Sequence, residues 1–117
     1  EGSSIDHEVF NRVKKSIEPD DRVMVVLDSM HSKAHVSNEL KLYSPLVTKG
    51  NFICAMDTAI GYLPASVSEN RPWSPTDSPL QAVEGFLNEN PDFINRSDID
   101  NKILISVART GYLERIK

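Results

Sequence analysis

The sequence predicts an α/β domain with a mostly parallel sheet. Two strands are predicted over 22–27 and 51–56, because their continuous apolar runs, 23–27 and 52–56, lack the alternation of a half-exposed strand, as expected for strands covered on both faces. A helical pattern over 33–46 separates them. Two apolar strands joined by a helix form the βαβ unit of a parallel sheet. Each apolar run is followed by an aspartate, Asp28 or Asp57.

A first helix is predicted over residues 5–17, where apolar side chains recur at helical spacing until Pro19 ends the pattern. Ser4 or Asp6 can cap this helix, because either side-chain oxygen can accept from the free amides of the first turn. The first apolar strand begins shortly after this helix ends.

The segment 58–78 is predicted to be a long lid or substrate loop, because it is rich in proline and shows no periodicity. A helix follows it and runs to Asn90. Ser78 is the expected cap, Pro79 takes the first helical position, and Gln81 stands where a capping box has its glutamine.

The carboxy-terminal region is predicted to add short strands, one of them antiparallel. Residues 93–95 are a short candidate, and the apolar run 102–108 is a better one. Residues 109–111 indicate a turn, after which 112–117 extends or pairs with the preceding strand.

Composition narrows the function classes. The chain is expected to form a single, truncated domain over 1–117, and its formal net charge of -4 disfavours a nucleic-acid partner. It has no apolar stretch near the roughly 20 residues that span a bilayer, and no signal-peptide pattern at its start. The lone Cys54 lies in an apolar run, which indicates a buried thiol. We therefore expect a cytoplasmic protein without a membrane partner.

Asp28, His31 and Asp57 are the candidate site residues. The carboxyl ends of neighbouring parallel strands meet at one edge of a sheet, where ligands bind. Two carboxylates there repel unless a cation or proton lies between them, and such ligands suit magnesium, calcium or manganese. His31 follows Asp28 by three residues and can serve as a ligand or proton acceptor. Alternatively, Asp28 caps the following helix.

Two further groups have alternative interpretations. His31 and His35 have the spacing of a zinc-binding helix, but Ser32 stands where that motif has glutamate, so zinc is not expected. Trp73 either anchors the long loop or forms an aromatic wall for a substrate. The guanidinium of Arg71 could then bind a carboxylate or phosphate of the substrate in a bidentate manner, and Tyr62 could also contact the substrate.

These residues carry a resemblance to the cephalosporin hydroxylase family, which is similar to rhamnosyl O-methyltransferases. The matching strings are GSSID at 2–6, LDSMHS at 27–32, MDT at 56–58, RPW at 71–73, LISVA at 104–108 and GYL at 111–113. That family has the class I methyltransferase fold, which uses S-adenosylmethionine. The resemblance implies a three-layer, Rossmann-like methyltransferase half-domain, corresponding to the carboxy-terminal half of such a protein.

The resemblance also implies a cofactor segment. Gly2, Ser3 and Ser4 would follow the third strand of the complete fold and contact the adenine of S-adenosylmethionine. The family's glycine-rich loop would lie upstream of Glu1, so we expect this chain alone to bind the cofactor poorly and to be inactive.

The resemblance further implies that Asp28 and Asp57 hold a divalent ion such as Mg²⁺, with His31 as a base near the transferred methyl group. Metal-binding relatives often carry a second acid where this chain has Met56.

The leading functional hypothesis is an enzyme that methylates a hydroxyl of a sugar or small metabolite, with Arg71 and Trp73 shaping the acceptor pocket. A second hypothesis is a non-catalytic module that forms a homo-oligomer or pairs with another chain through an exposed sheet edge. A third is a hydroxylase, ranked last, because an iron site could be assembled only loosely from Asp28, His31 and His35.

Overall fold

Helices and strands alternate along most of the chain in the computed structural model, which describes residues 2–117. The elements are α1 (His7–Lys15), β1 (Val25–Leu27), α2 (Lys33–Tyr43), β2 (Phe52–Ala55), α3 (Pro79–Glu89), β3 (Phe93–Asn95), α4 (Ser97–Ile103) and β4 (Tyr112–Arg115). Short 3₁₀ helices occupy Ser44–Leu46, Thr58–Tyr62 and Ala65–Ser68. Within residues 2–117, no helix is long and apolar enough to cross a bilayer.

The four strands form one mixed sheet in the order β1-β2-β4-β3. β1 and β2 pair in parallel, whereas β4 runs antiparallel to both β2 and β3. The predictions of an α/β class, of the central βαβ unit and of an antiparallel strand near the carboxy terminus are confirmed. Only one of the three pairings is parallel, so the expectation of a mostly parallel sheet is replaced by a mixed one.

The hydrophobic core lies between one face of the sheet and the helices α2 and α3. Leu27, Ile53 and Leu113 point from the sheet into this core, and Leu40 and Val83 meet them from the helices. Burial of each such side chain contributes roughly 1.5–3 kcal/mol to folding. On the opposite face, Met24, Val26 and Ile94 stay exposed. The predicted three-layer, Rossmann-like half-domain is therefore not confirmed for residues 2–117.

Helix boundaries depend on capping and on proline. Asp6 caps α1 by accepting from the amides of Glu8 at 2.7 Å and Val9 at 3.1 Å, and these bonds hold the pKa of Asp6 below its usual value. α2 ends at Tyr43 instead of continuing to residue 46, because Pro45 lacks the amide hydrogen that a further α-helical turn requires. The predicted capping box at the start of α3 is present.

The prediction of a strand over 102–108 is wrong. Those residues form the end of α4 and an exposed turn, in which Ile105 is 90% exposed and Leu104 has a left-handed backbone with φ of 68°. Asp98 and Asp100 lie in the first turn of α4, where negative charge favours the helical state. The strand position between β2 and β3 is taken by β4 instead.

Gly111 is the point at which the chain entering β4 comes closest to β2. Its carbonyl accepts from the Ala55 amide at 2.9 Å, and a Cβ added to Gly111 would overlap the carbonyl oxygen of Ala55. We expect Gly111→Ala to lower the free energy of unfolding by about 2 kcal/mol, because the strands must separate. Chemical denaturation measures this change.

The matched control is Gly85→Ala in α3, where an added Cβ meets no atom within 4 Å. This substitution is expected to raise the free energy of unfolding by roughly 0.5–1 kcal/mol, since alanine favours the helix. Equal stability of the two variants would contradict the packing described here.

Candidate functional site at the carboxyl edge of the sheet

Parallel pairing brings Asp28 and Asp57 to the same edge of the sheet. Leu27 pairs with Ala55, and the amide of Met56 donates to the carbonyl of Leu27 at 2.9 Å. Asp28 follows Leu27 directly, and Asp57 follows Ala55 after one intervening residue, Met56. The edge is the one at which open α/β sheets bind ligands.

His31 joins the two aspartates in space. Its Nε2 atom lies 3.1 Å from Oδ2 of Asp57 and 3.6 Å from Oδ1 of Asp28. Ligand atoms from all three residues lie within 4.8 Å of one another. The structure thus brings together the three residues that the sequence singled out. Nε2 can donate a hydrogen bond to Asp57 or offer its lone pair to a cation, but it cannot do both at once.

Asp57 has a left-handed backbone, with φ of 56° and ψ of 18°. This conformation is uncommon for residues other than glycine, although aspartate tolerates it better than most. It turns the chain abruptly from β2 into the 3₁₀ helix Thr58–Tyr62. Backbone strain of this kind clusters at functional sites, which favours a functional role for Asp57.

Ser32, and not Asp28, caps α2. The Ser32 hydroxyl accepts from the His35 amide at 3.4 Å, and the backbone of Ser32 has the extended conformation of an N-cap. The capping role that the sequence left open for Asp28 is therefore filled by another residue. The Asp28 side chain is 61% exposed and lies beside His31.

The long loop brings Trp73 to His31. The two ring centroids are 6.3 Å apart, with 45° between the ring planes. The guanidinium carbon of Arg71 lies 5.7 Å from the centroid of the Trp73 ring. Near the end of the loop, Asp77 accepts from the Lys33 amide at 2.8 Å, which fastens this segment to the start of α2. Trp73 and Arg71 therefore stand beside the three-residue cluster.

Tyr62 is tied to the turn that precedes β4. Its hydroxyl lies 2.8 Å from Oγ1 of Thr110, and the guanidinium carbon of Arg109 lies 5.0 Å from its ring centroid. Sequence reasoning did not single out Arg109, because one cation in a predicted turn carries no distinguishing pattern. The contacts of Tyr62 connect the long loop with the carboxy-terminal region.

His35 belongs to a different set of contacts. Its Nε2 atom lies 3.0 Å from Oγ of Ser4 and 3.0 Å from Oγ of Ser29. His35 is not part of the metal-compatible group formed by the described residues. Ser4 therefore packs against the start of α2. It belongs to the predicted cofactor segment, which also contains Gly2 and Ser3. The iron site considered for a hydroxylase needs Asp28, His31 and His35 together, and His35 does not join the other two.

Comparison with known proteins identifies the family. Residues 1–116 match the family model described as rhamnosyl O-methyltransferase/CmcI. The chain belongs to this family. The match confirms the resemblance drawn from the motifs, and it extends over nearly the whole chain.

Curated relatives share the family name. The rhamnosyl O-methyltransferases of Mycobacterium tuberculosis (strain H37Rv) and Mycobacterium bovis (strain BCG Pasteur) are each 29% identical over 117 residues. These alignments cover 98% of this chain and 45% of each relative, so the chain spans about half the length of the curated relatives it matches. No solved structure matches the chain significantly.

The bond between Asp77 and the Lys33 amide is expected to keep Trp73 beside His31. Asp77→Ala removes the acceptor and frees this part of the loop, so the emission of Trp73, the only tryptophan, should shift to longer wavelength. Asp77→Asn keeps an acceptor oxygen and should emit like the wild type. Identical spectra for all three proteins would show that this bond does not hold the loop.

Proposed function

We propose that this chain is the part of an S-adenosylmethionine-dependent O-methyltransferase that binds a divalent cation and a sugar acceptor. The observation that carries the proposal is the cluster of Asp28, His31 and Asp57 at the carboxyl edge of β1 and β2, in a chain of the rhamnosyl O-methyltransferase/CmcI family. The acceptor class proposed is a rhamnosyl or similar sugar hydroxyl, following the names of the relatives.

The donor set fits a divalent cation of the magnesium or manganese type. Octahedral coordination at about 2.1 Å places neighbouring ligand atoms about 3 Å apart. Carboxylate oxygens of Asp28 and Asp57 lie within 4.8 Å of each other, and Nε2 of His31 lies 3.1 Å and 3.6 Å from these carboxylates, so both aspartates can close on one ion with His31 beside it. Two carboxylates also balance the charge of one divalent ion. Met56 offers no oxygen, so the chain contributes two acidic ligands where metal-binding relatives often have three.

We assign Asp28 and Asp57 as cation ligands and His31 as the proton acceptor. A sugar hydroxyl is a poor nucleophile at neutral pH, and a bound divalent cation would lower its pKa and orient it. With Asp57 committed to the cation, its carboxylate no longer favours a hydrogen on Nε2 of His31, and the ring can carry its hydrogen on Nδ1 instead. The lone pair of His31 then faces the same space and can accept the hydroxyl proton.

Trp73 and Arg71 form the acceptor wall in this proposal. The apolar face of a sugar ring packs on an aromatic side chain, and Trp73 presents one beside His31. Arg71 can hydrogen-bond to acceptor oxygens from its position near the Trp73 ring. Tyr62 is assigned to the acceptor side as well, where its bond to Thr110 connects the loop to the turn before β4.

The methyl donor is assigned to the side of the cluster that carries the amino-terminal segment. Gly2, Ser3 and Ser4 would contact its adenine, and Ser4 already packs beside Ser29. S-adenosylmethionine supplies an activated methyl group, so transfer depends mainly on alignment with the acceptor oxygen. Because the chain spans 45% of the length of its relatives, we expect a complete donor site to need further sequence.

A non-catalytic interaction module is the second candidate. Met24 and Val26 are exposed on or beside β1, which lies at an edge of the sheet. An apolar edge strand of this kind favours pairing with other polypeptide. This candidate predicts no methyl transfer in any form of the protein.

The deciding experiment is methyl transfer from S-adenosylmethionine to a rhamnosyl glycoside, measured with the longest polypeptide that the gene encodes. Transfer should require a divalent cation. Asp57→Asn should lower the rate by about 100-fold or more, because Lewis-acid stabilisation contributes several kcal/mol. Asp20→Asn, at an exposed aspartate between α1 and β1, is the control and should react like the wild type.

Transfer that persists in a chelator would contradict the role of the cation. The absence of transfer to any sugar hydroxyl would contradict the methyltransferase proposal and favour the interaction module.

A further inference from the structure

A buried carboxylate lies next to the candidate site without taking part in it. Glu39 on α2 is 2% exposed, and its Oε1 atom accepts from the Ser29 hydroxyl at 2.8 Å. Nε2 of His35 lies 3.6 Å from the same carboxylate oxygen and 3.0 Å from the hydroxyl oxygens of Ser4 and Ser29. We call Ser4, Ser29, His35 and Glu39 the Glu39 network.

The proton positions in this network follow from its geometry. The Ser29 hydroxyl has one hydrogen, which is donated to Glu39. The short contact between Ser29 and His35 then requires the hydrogen to be on Nε2 of His35. His35 therefore lies between the two serines, with its single Nε2 hydrogen donated to Ser29 or shared between Ser29 and Ser4.

Stability alone does not account for Glu39. Burial of a carboxylate is costly, and among the described residues the only basic side chain close to it is His35, whose Nε2 lies 3.6 Å from Oε1. The second carboxylate oxygen, Oε2, is buried with no hydrogen-bond partner in the structure. An apolar side chain beside the buried Leu40 would avoid this cost. A carboxylate in such a position is better explained by the groups that it holds in place.

The network connects the two segments that the proposed function uses. Ser29 lies in the loop that carries Asp28 and His31, while Ser4 lies in the predicted donor segment. A second bond fastens the same segment, since the Tyr43 hydroxyl donates to the carbonyl of Ser4 at 2.8 Å. Both segments are thereby joined to one rigid helix, α2.

We propose that Glu39, with His35 as its bridge, is a positioning residue that holds the 28–31 loop and the amino-terminal segment at a fixed spacing. The inference rests on the proposed function, because it gives this spacing a purpose: alignment of the cation site with the methyl donor. Glu39 acts through Ser29 and His35 and does not itself touch the reacting groups.

The test uses Ser29→Ala, which removes the link, and Ser29→Thr, which keeps the hydroxyl. Ser29 is exposed, so neither change disturbs the core. Ser66→Ala, at an exposed position in the 3₁₀ helix Ala65–Ser68, is the matched control. Three quantities are measured in each protein: Mn²⁺ affinity, exchange of the Met30 and His31 amide hydrogens, and the protonated ring nitrogen of His35 by NMR.

In the wild type, the hydrogen of His35 is expected on Nε2. Ser29→Ala should weaken Mn²⁺ binding about tenfold, as losses of supporting contacts around metal ligands do. It should speed amide exchange in the loop about fivefold, which corresponds to one net hydrogen bond. Ser29→Thr should restore both values, and Ser66→Ala should leave them unchanged.

The outcomes separate this inference from the proposed function. If Nε2 of His35 carries no hydrogen in the wild type, the Glu39 network is wrong. The network is also wrong if the loop amides of Ser29→Ala exchange at the wild-type rate. A wild type that binds no Mn²⁺ but shows the predicted exchange and ring proton overturns the cation site and leaves the network supported. Faster exchange in Ser29→Ala with unchanged Mn²⁺ affinity overturns the positioning role, because the loop then moves without affecting the site.

Discussion

The parallel pairing of β1 with β2 is the constraint on which the candidate site depends. The bond from the Met56 amide to the Leu27 carbonyl fixes the register of the two strands at their carboxyl ends. The same strands send Leu27 and Ile53 into the core beneath the helices, so core packing and site geometry are coupled. A shift of one residue in this register would turn the apolar side chains away from the core. Hydrophobic burial therefore maintains the distance between two carboxylates that themselves repel.

The polar side chains around this edge of the sheet make separate sets of contacts. Asp28 and Asp57 face a common space with His31, whereas Ser32 caps α2 and Asp77 fastens the loop to that helix. Because Asp28 is largely exposed, water screens the repulsion between the two carboxylates. Glu39, in contrast, is buried. This edge of the sheet thus has a cluster of exposed and partly buried polar groups beside a fully buried carboxylate.

Local signals in the sequence predicted much of this arrangement. Asp28 and Asp57 each follow an apolar run. This pattern predicted that the two aspartates lie close together, because the carboxyl ends of neighbouring parallel strands lie at one edge of the sheet. The prediction of a strand over 102–108 was wrong, because apolar character alone does not distinguish a strand from the exposed turn that contains Ile105. The role of His35 could not be predicted either. Its partners Ser4 and Ser29 are 31 and 6 residues away in sequence, and only the packing of α2 brings them together.

The most direct test of the cation site is a crystal structure of the chain grown with Mn²⁺ and recorded with anomalous scattering from manganese. An anomalous peak is expected within about 2.3 Å of carboxylate oxygens of both Asp28 and Asp57, with His31 beside it. The 3.1 Å contact between Asp57 and Nε2 of His31 should then give way to the contact between Asp57 and the metal. A fully loaded crystal with no peak between the two aspartates would contradict the assignment of this edge as a cation-binding site.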